Sequence, residues 1–169
     1  MLRYCLLASA GLLVLLACTP DETPRAGPPP PQGVEFPPEM AEPALLTYHP
    51  DLHVDITEMR VRPSGLWLQD LVPSEGDTAT RGSMVLVRYT GWLHDGTLFE
   101  SNADTDPFEF RLGAGEMLEG WDEGIVGMRR GGKRKLILPY QLAYGEAGEG
   151  EIPPFATLVY DIELIDFRP

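Results

Sequence analysis

Alternating apolar and polar positions recur along the last two thirds of the chain, and they predict short strands. In Met84–Leu93, Val85, Val87, Tyr89 and Leu93 share one face while Arg88 and Thr90 take the other. In Phe108–Leu112, Phe108, Phe110 and Leu112 point one way. Lys133–Leu138 sets Leu136 and Leu138 on one side, and Thr157–Phe167 aligns Leu158, Tyr160, Ile162 and Leu164. Gly65–Val72 is a fifth candidate, its alternation blurred by Leu66, Trp67 and Leu68, and Asp95-Gly96 marks a turn. Between Phe108–Leu112 and Lys133–Leu138 the period changes. Leu118, Trp121, Ile125 and Met128 recur at spacings of three and four, which makes one apolar stripe on a helix. Gly120 and Gly124 each lower helix propensity by about 1 kcal/mol, so close approach to a sheet is their expected use. The pattern predicts an α+β fold, an antiparallel sheet with one buried face curling around one short helix. No repeat or second folded domain is visible.

The residues before Pro63 follow other rules. Arg3 precedes Leu6–Ala17, which is apolar apart from Ser9. A run of about a dozen such residues is too short to span a bilayer and fits the apolar core of a secretory leader. Leu15-Leu16-Ala17-Cys18 resembles the lipobox of bacterial lipoproteins, which implies cleavage before Cys18 and a lipid on its thiol. An ordinary leader with an incidental cysteine is the alternative. Thr19 stands where an inner-membrane retention signal would usually place Asp, so the expected location is the bacterial outer membrane, facing the periplasm. From Thr19 to Pro43 the chain is dense in proline and cannot bury enough apolar surface to offset its ordering entropy. An extended polyproline helix of about 3 Å per residue would serve as a tether. Leu52, Val54 and Ile56 alternate with polar residues and predict a short strand or an extended arm lying on the domain. The expected organisation is a leader over 1–17, lipidated Cys18 with linker and arm over 18–62, and a folded domain over 63–169.

Charge and composition exclude several functions. The net charge of −13 argues against nucleic acid, whose phosphates need a basic surface. Only Cys5 and Cys18 occur, so no disulfide framework is expected. His49 and His53 lie four apart, but Pro50 between them disfavours the helix that would align them on a metal. No metal or cofactor is expected. What stands out is a set of aromatic residues that alternation and helical spacing turn toward one interior.

Six ordered runs carry a family resemblance: Tyr89-Thr90-Gly91-Trp92-Leu93 with Asp95-Gly96, Pro107–Phe110, Gly120–Gly124, Gly131–Leu136, Leu142–Gly145 and Ile152–Leu158. The segment from about Ser64 to Phe167 resembles an FKBP-type peptidyl-prolyl cis-trans isomerase domain. The resemblance implies a five- to six-stranded antiparallel sheet wrapped on a short helix. It also implies rotation of X-Pro bonds in an apolar pocket. Proline-containing unfolded or flexible segments and macrolide inhibitors are the implied partners. The rival reading is a membrane-tethered chaperone that holds such segments without turning them over. A monomer is expected, because no long N-terminal helix of the kind that dimerises some bacterial relatives is apparent.

By the same resemblance, Trp121 forms the floor under the proline ring and Tyr89, Phe108 and Tyr160 its walls, with Tyr160 where many members carry Phe. Phe99 lies near the twisting carbonyl, Met117 and Leu118 at the rim, and Ile152 at the far edge. The backbone N–H of Leu118 and the hydroxyl of Tyr144 would hold substrate. Phe108, Phe110 and Tyr160 could instead be core residues, the preferred reading for Phe110, and Tyr144 a surface aromatic. Three departures stand out. Glu100 replaces the usual Asp. Asn102–Asp106 is one residue short and acidic. Glu146–Glu151, also one residue short, carries three carboxylates, read either as a solvated loop or as a preference for Lys or Arg near the proline.

Overall fold

The computed structural model describes residues 42–169. The expected leader, the expected lipid site at Cys18 and the proline-rich stretch as far as Ala41 lie outside the described residues. Seven strands form one antiparallel sheet: β1 (Arg60–Val61), β2 (Trp67–Val72), β3 (Met84–Leu93), β4 (Leu98–Ser101), β5 (Phe108–Arg111), β6 (Lys133–Leu138) and β7 (Leu158–Arg168). Their order is β1-β2-β6-β7-β3-β4. The free edge of β3 is shared, since β5 pairs along Met84–Val87 and β4 along Thr90–Trp92. Among the described residues one α-helix, α1 (Glu119–Gly124), packs on the core face of the sheet.

The expected alternation holds where the strands are long. Val85, Val87 and Tyr89 of β3, Leu136 and Leu138 of β6, and Leu158, Tyr160, Ile162 and Leu164 of β7 are all buried in one core. The helix is shorter than its apolar stripe. Leu118 caps it with extended backbone, and Ile125 and Met128 continue the buried stripe through the turns beyond it. The two glycines do permit close approach. A Cβ on Gly120 would lie 2.4 Å from Cγ of Leu138, and one on Gly124 would lie 2.5 Å from Cδ1 of Leu136. Arg134 closes the helix from β6. Its guanidinium donates to the carbonyls of Gly124 (2.7 Å) and Val126 (3.3 Å) and pairs with Asp70 at 2.6 Å. That satisfies carbonyls at the helix end, where a cation is favoured.

Of the two readings of the segment before β1, the arm holds and the strand does not. The alternation of Leu52, Val54 and Ile56 makes no strand, because Pro50–Leu52 and Ile56–Glu58 are single 3-10 turns and His53 between them is left-handed at φ 47°. The segment is an arm instead, with Leu52 and Met59 buried against Ile137 and Val159 and flanked by Trp67 and Trp92. The sheet is therefore buried on both faces in this region, rather than on one. This also explains the blurred run at Leu66-Trp67-Leu68: Leu66 and Leu68 face the helix side and Trp67 faces the arm. The expected domain start at residue 63 falls between β1 and β2, which pair as neighbours, and the arm just before β1 packs on the same sheet.

Candidate functional site

Four elements and one turn bring the expected aromatic residues together. β3 turns Tyr89 inward, α1 places Trp121 beneath it, β7 contributes Tyr160 and β4 contributes Phe99. The Tyr89 and Trp121 rings meet edge to face with centroids 4.7 Å apart; Trp121 meets Tyr160 at 5.1 Å, and Phe99 meets Tyr160 at 5.6 Å. These are favourable T-shaped contacts. Gly91 makes the junction possible. A Cβ there would lie 2.6 Å from Cε1 of Tyr160 and 2.8 Å from Cζ of Phe99, so only a bare backbone lets both rings cross β3 at this point. Met117, Leu118, Ile152 and Tyr144 pack around the same cluster.

Phe108 sits differently from the rest. It is 41% exposed and stacks on Phe110 at 5.8 Å, and Phe110 in turn touches Trp121 at 5.9 Å. Phe110 is buried core, as expected. Trp121 is fully buried, and its indole N–H finds no acceptor among the described residues. Such an unpaired donor is uncommon in a folded interior.

The polar groups form a set of their own. The Tyr89 hydroxyl donates to Oε1 of Glu100 at 2.5 Å, so the longer side chain at position 100 still reaches its partner. The phenols of Tyr144 and Tyr160 feel the same Glu100 carboxylate. Burial raises the pKa of all three phenols; the Glu100 carboxylate adds to the rise at each, and Glu149 adds at Tyr144. All three therefore stay protonated where an exposed tyrosine would ionise.

The sign of the resulting pH effect follows from proton linkage. An unfolded chain releases its tyrosine protons near pH 10, whereas the native one holds them. Stability from these groups is fully present below that pH and is lost as pH rises through the native pKa values. Urea unfolding is expected to show a midpoint that declines above about pH 10. In Tyr160→Phe the decline should be shallower, and an unchanged slope would contradict the burial of that phenol.

The sequence reading missed the residues that frame the site. Asn102 is buried just past β4, where its side-chain Oδ1 accepts from the Tyr89 N–H at 2.7 Å and its Nδ2 donates to the Val87 carbonyl at 3.1 Å. It stands in for a strand between β4 and β5. Arg88 clamps the same loop by donating to the carbonyls of Asn102 (3.3 Å), Ala103 (2.9 Å) and Thr105 (2.6 Å). The available signal was a short amide at a strand exit, a residue type that competes for backbone partners. On α1, the buried Asp122 carboxylate accepts from the backbone N–H groups of Gly113 (2.7 Å) and Gly115 (3.0 Å), fixing the turn that leads to Met117. Asn102→Ala leaves the Tyr89 N–H buried without its acceptor and removes one donor from the Val87 carbonyl. Its expected cost is about 1–3 kcal/mol, read by urea unfolding, with kcat/KM falling as Tyr89 loses its anchor.

Tyr144 follows the 3-10 turn Tyr140–Leu142, and the acidic loop bends back through a bridge between Glu149 and Ile152. Among the described residues there is no group of three His, Cys, Asp or Glu placed to hold a metal ion.

Comparison with known proteins supplies the remaining facts. Residues 76–165 match the family described as FKBP-type peptidyl-prolyl cis-trans isomerase. An FK506-binding protein of Neisseria meningitidis serogroup C is 48% identical over 102 residues, covering 59% of this chain and 94% of that protein. The crystal structure of AtFKBP13 is 40% identical with a TM-score of 0.62, covering 66% of this chain and 99% of that one. FkpA from Escherichia coli is 38% identical with a TM-score of 0.62, covering 66% of this chain and 52% of its own.

Proposed function

Since this chain belongs to the FKBP-type peptidyl-prolyl cis-trans isomerase family, we propose that its aromatic cluster is the site where X-Pro bonds rotate, and that it serves protein folding in a bacterial envelope. The observation that carries the first part is the convergence of Tyr89, Phe99, Trp121 and Tyr160 from four separate elements onto one point.

The chemistry asks for little more. The uncatalysed barrier is about 18–20 kcal/mol, set by resonance that places charge on the amide oxygen and nitrogen. Water favours that polar planar form. An apolar wall withdraws the solvation, and the twisted amide, which has lost the resonance, suffers least from its removal. Only binding that favours the twisted form accelerates the step. Tyr144 supplies a hydroxyl and Leu118 a backbone N–H at the helix start, where such groups lack intrahelical acceptors. No bond breaks, so the site needs no nucleophile. Phenols held protonated serve as donors throughout the physiological pH range.

The envelope role rests on sequence. The apolar leader and Leu15-Leu16-Ala17-Cys18 support lipid attachment at Cys18, and the proline-rich stretch supports a domain held away from the membrane. Two experiments test this reading. The full chain should accelerate refolding of a proline-limited protein, and FK506 should suppress the acceleration; refolding at the spontaneous rate would refute it. Cys18→Ser should shift the protein from the membrane to the soluble fraction, and unchanged fractionation would refute the lipid anchor.

A further inference from the structure

β4 carries Phe99 into the cluster from the end of the sheet, with β3 as its one neighbouring strand among the described residues. Its ladder pairs Gly91 with Glu100 and Trp92 with Leu98, so Phe99 is the extra residue of a bulge and has no partner opposite. Where its ring sits therefore depends on what holds β4 at each end. Past the strand, Asn102 and Arg88 fasten the loop. Before it, the turn from His94 to Thr97 is held by His49 of the arm, a residue outside the family match over 76–165. The His49 N–H donates to the His94 carbonyl at 2.9 Å. The His49 ring lies on Gly96, where a Cβ would come within 2.8 Å of its Cγ and 3.1 Å of its Nδ1. A glycine at φ 91° gives the turn both its left-handed bend and this flat seat. The Asp51 N–H donates to the same Nδ1 at 3.3 Å, which helps to fix the plane of the ring.

We propose that His49 is a positioning residue for isomerisation: seated on Gly96, its ring holds the β3–β4 turn and thereby sets the Phe99 ring against the bound peptide. The arm thus acts on the site through the hairpin rather than through the core. The inference rests on the reading of Phe99 as part of the isomerising site.

A double-mutant cycle on kcat/KM in the full-length protein tests it, with His49→Ala, Phe99→Leu and the pair compared with wild type on one X-Pro peptide. The backbone bond to His94 is available in every variant, so the cycle reads the ring alone. The His49 side chain is 46% exposed, so the urea midpoint of His49→Ala should stay near the wild-type value. Its kcat/KM should nevertheless fall about threefold or more, mostly through kcat. In the Phe99→Leu background the same change should have an effect below about 1.5-fold, because no ring is left to position. His49→Phe, which keeps a flat ring on Gly96, should restore most of the rate. Equal losses in both backgrounds, wild-type kcat/KM in His49→Ala, or no rescue by His49→Phe overturn the positioning role and leave the site assignment standing. Wild-type kcat/KM in Phe99→Leu overturns both.

Discussion

Replacing Trp121 by alanine is expected to remove both activity and a large part of the folding stability. The indole is fully buried and touches Tyr89, Phe110 and Tyr160. Truncating such a residue costs about 3–5 kcal/mol through lost burial and the cavity left behind. Small domains hold only about 5–15 kcal/mol in total, so the alanine variant is close to the threshold of folding. Trp121→Leu separates the two roles. It keeps an apolar side chain on α1 and should remain folded, while kcat/KM falls about tenfold, equivalent to about 1.4 kcal/mol of transition-state stabilisation. Unfolding curves and isomerisation rates of both variants check this. A Trp121→Leu protein with wild-type kcat/KM would show the indole to be core alone.

The second large effect lies far from that cluster. Leu52→Ala is expected to destabilise the chain by about 2–5 kcal/mol, although Leu52 lies outside residues 76–165 that match the family. The side chain is buried on the outer face of the sheet with Met59, Ile137 and Val159. Removing it opens a cavity under the arm and leaves the ring cluster, on the opposite face, unaltered. Urea unfolding should show the loss, and kcat/KM measured at low temperature should be unchanged. A cost below about 0.5 kcal/mol, typical of a surface substitution, would show that the arm adds nothing to the fold.

The difference between these two regions marks what could be read from sequence. β3, β6 and β7 announce themselves because one face is apolar over many residues, and the helix because Trp121, Ile125 and Met128 keep its period. β4 gives no such signal. Its four residues place Leu98 outward and use Glu100, a polar residue, on the side that meets Tyr89. β1 has two residues, both exposed, and exists only by pairing with β2. The segment was left open between a strand and an arm because an alternating pattern does not record the left-handed turn at His53. Tyr89, Phe99, Trp121 and Tyr144 were singled out by motif order rather than by periodicity. Phe108 shares the alternation of Phe110 yet remains exposed, since β5 lies at the sheet's edge with its first residue beyond the core. Asn102 was missed for a related reason: its importance lies in backbone groups of β3 that the hydrophobic pattern does not encode.

One measurement addresses the central claim most directly, which is that the ring cluster lowers the X-Pro barrier. Exchange NMR on a proline-containing peptide, with substoichiometric protein, reads cis–trans interconversion without a protease. Uncatalysed exchange takes about tens to hundreds of seconds. The expected result is exchange accelerated into the range of seconds or faster by the wild type, and returned most of the way to the spontaneous rate by Trp121→Leu. Peptide binding seen as shifted resonances, with interconversion still at the spontaneous rate, would contradict the account and leave a holder of proline segments in place of an isomerase.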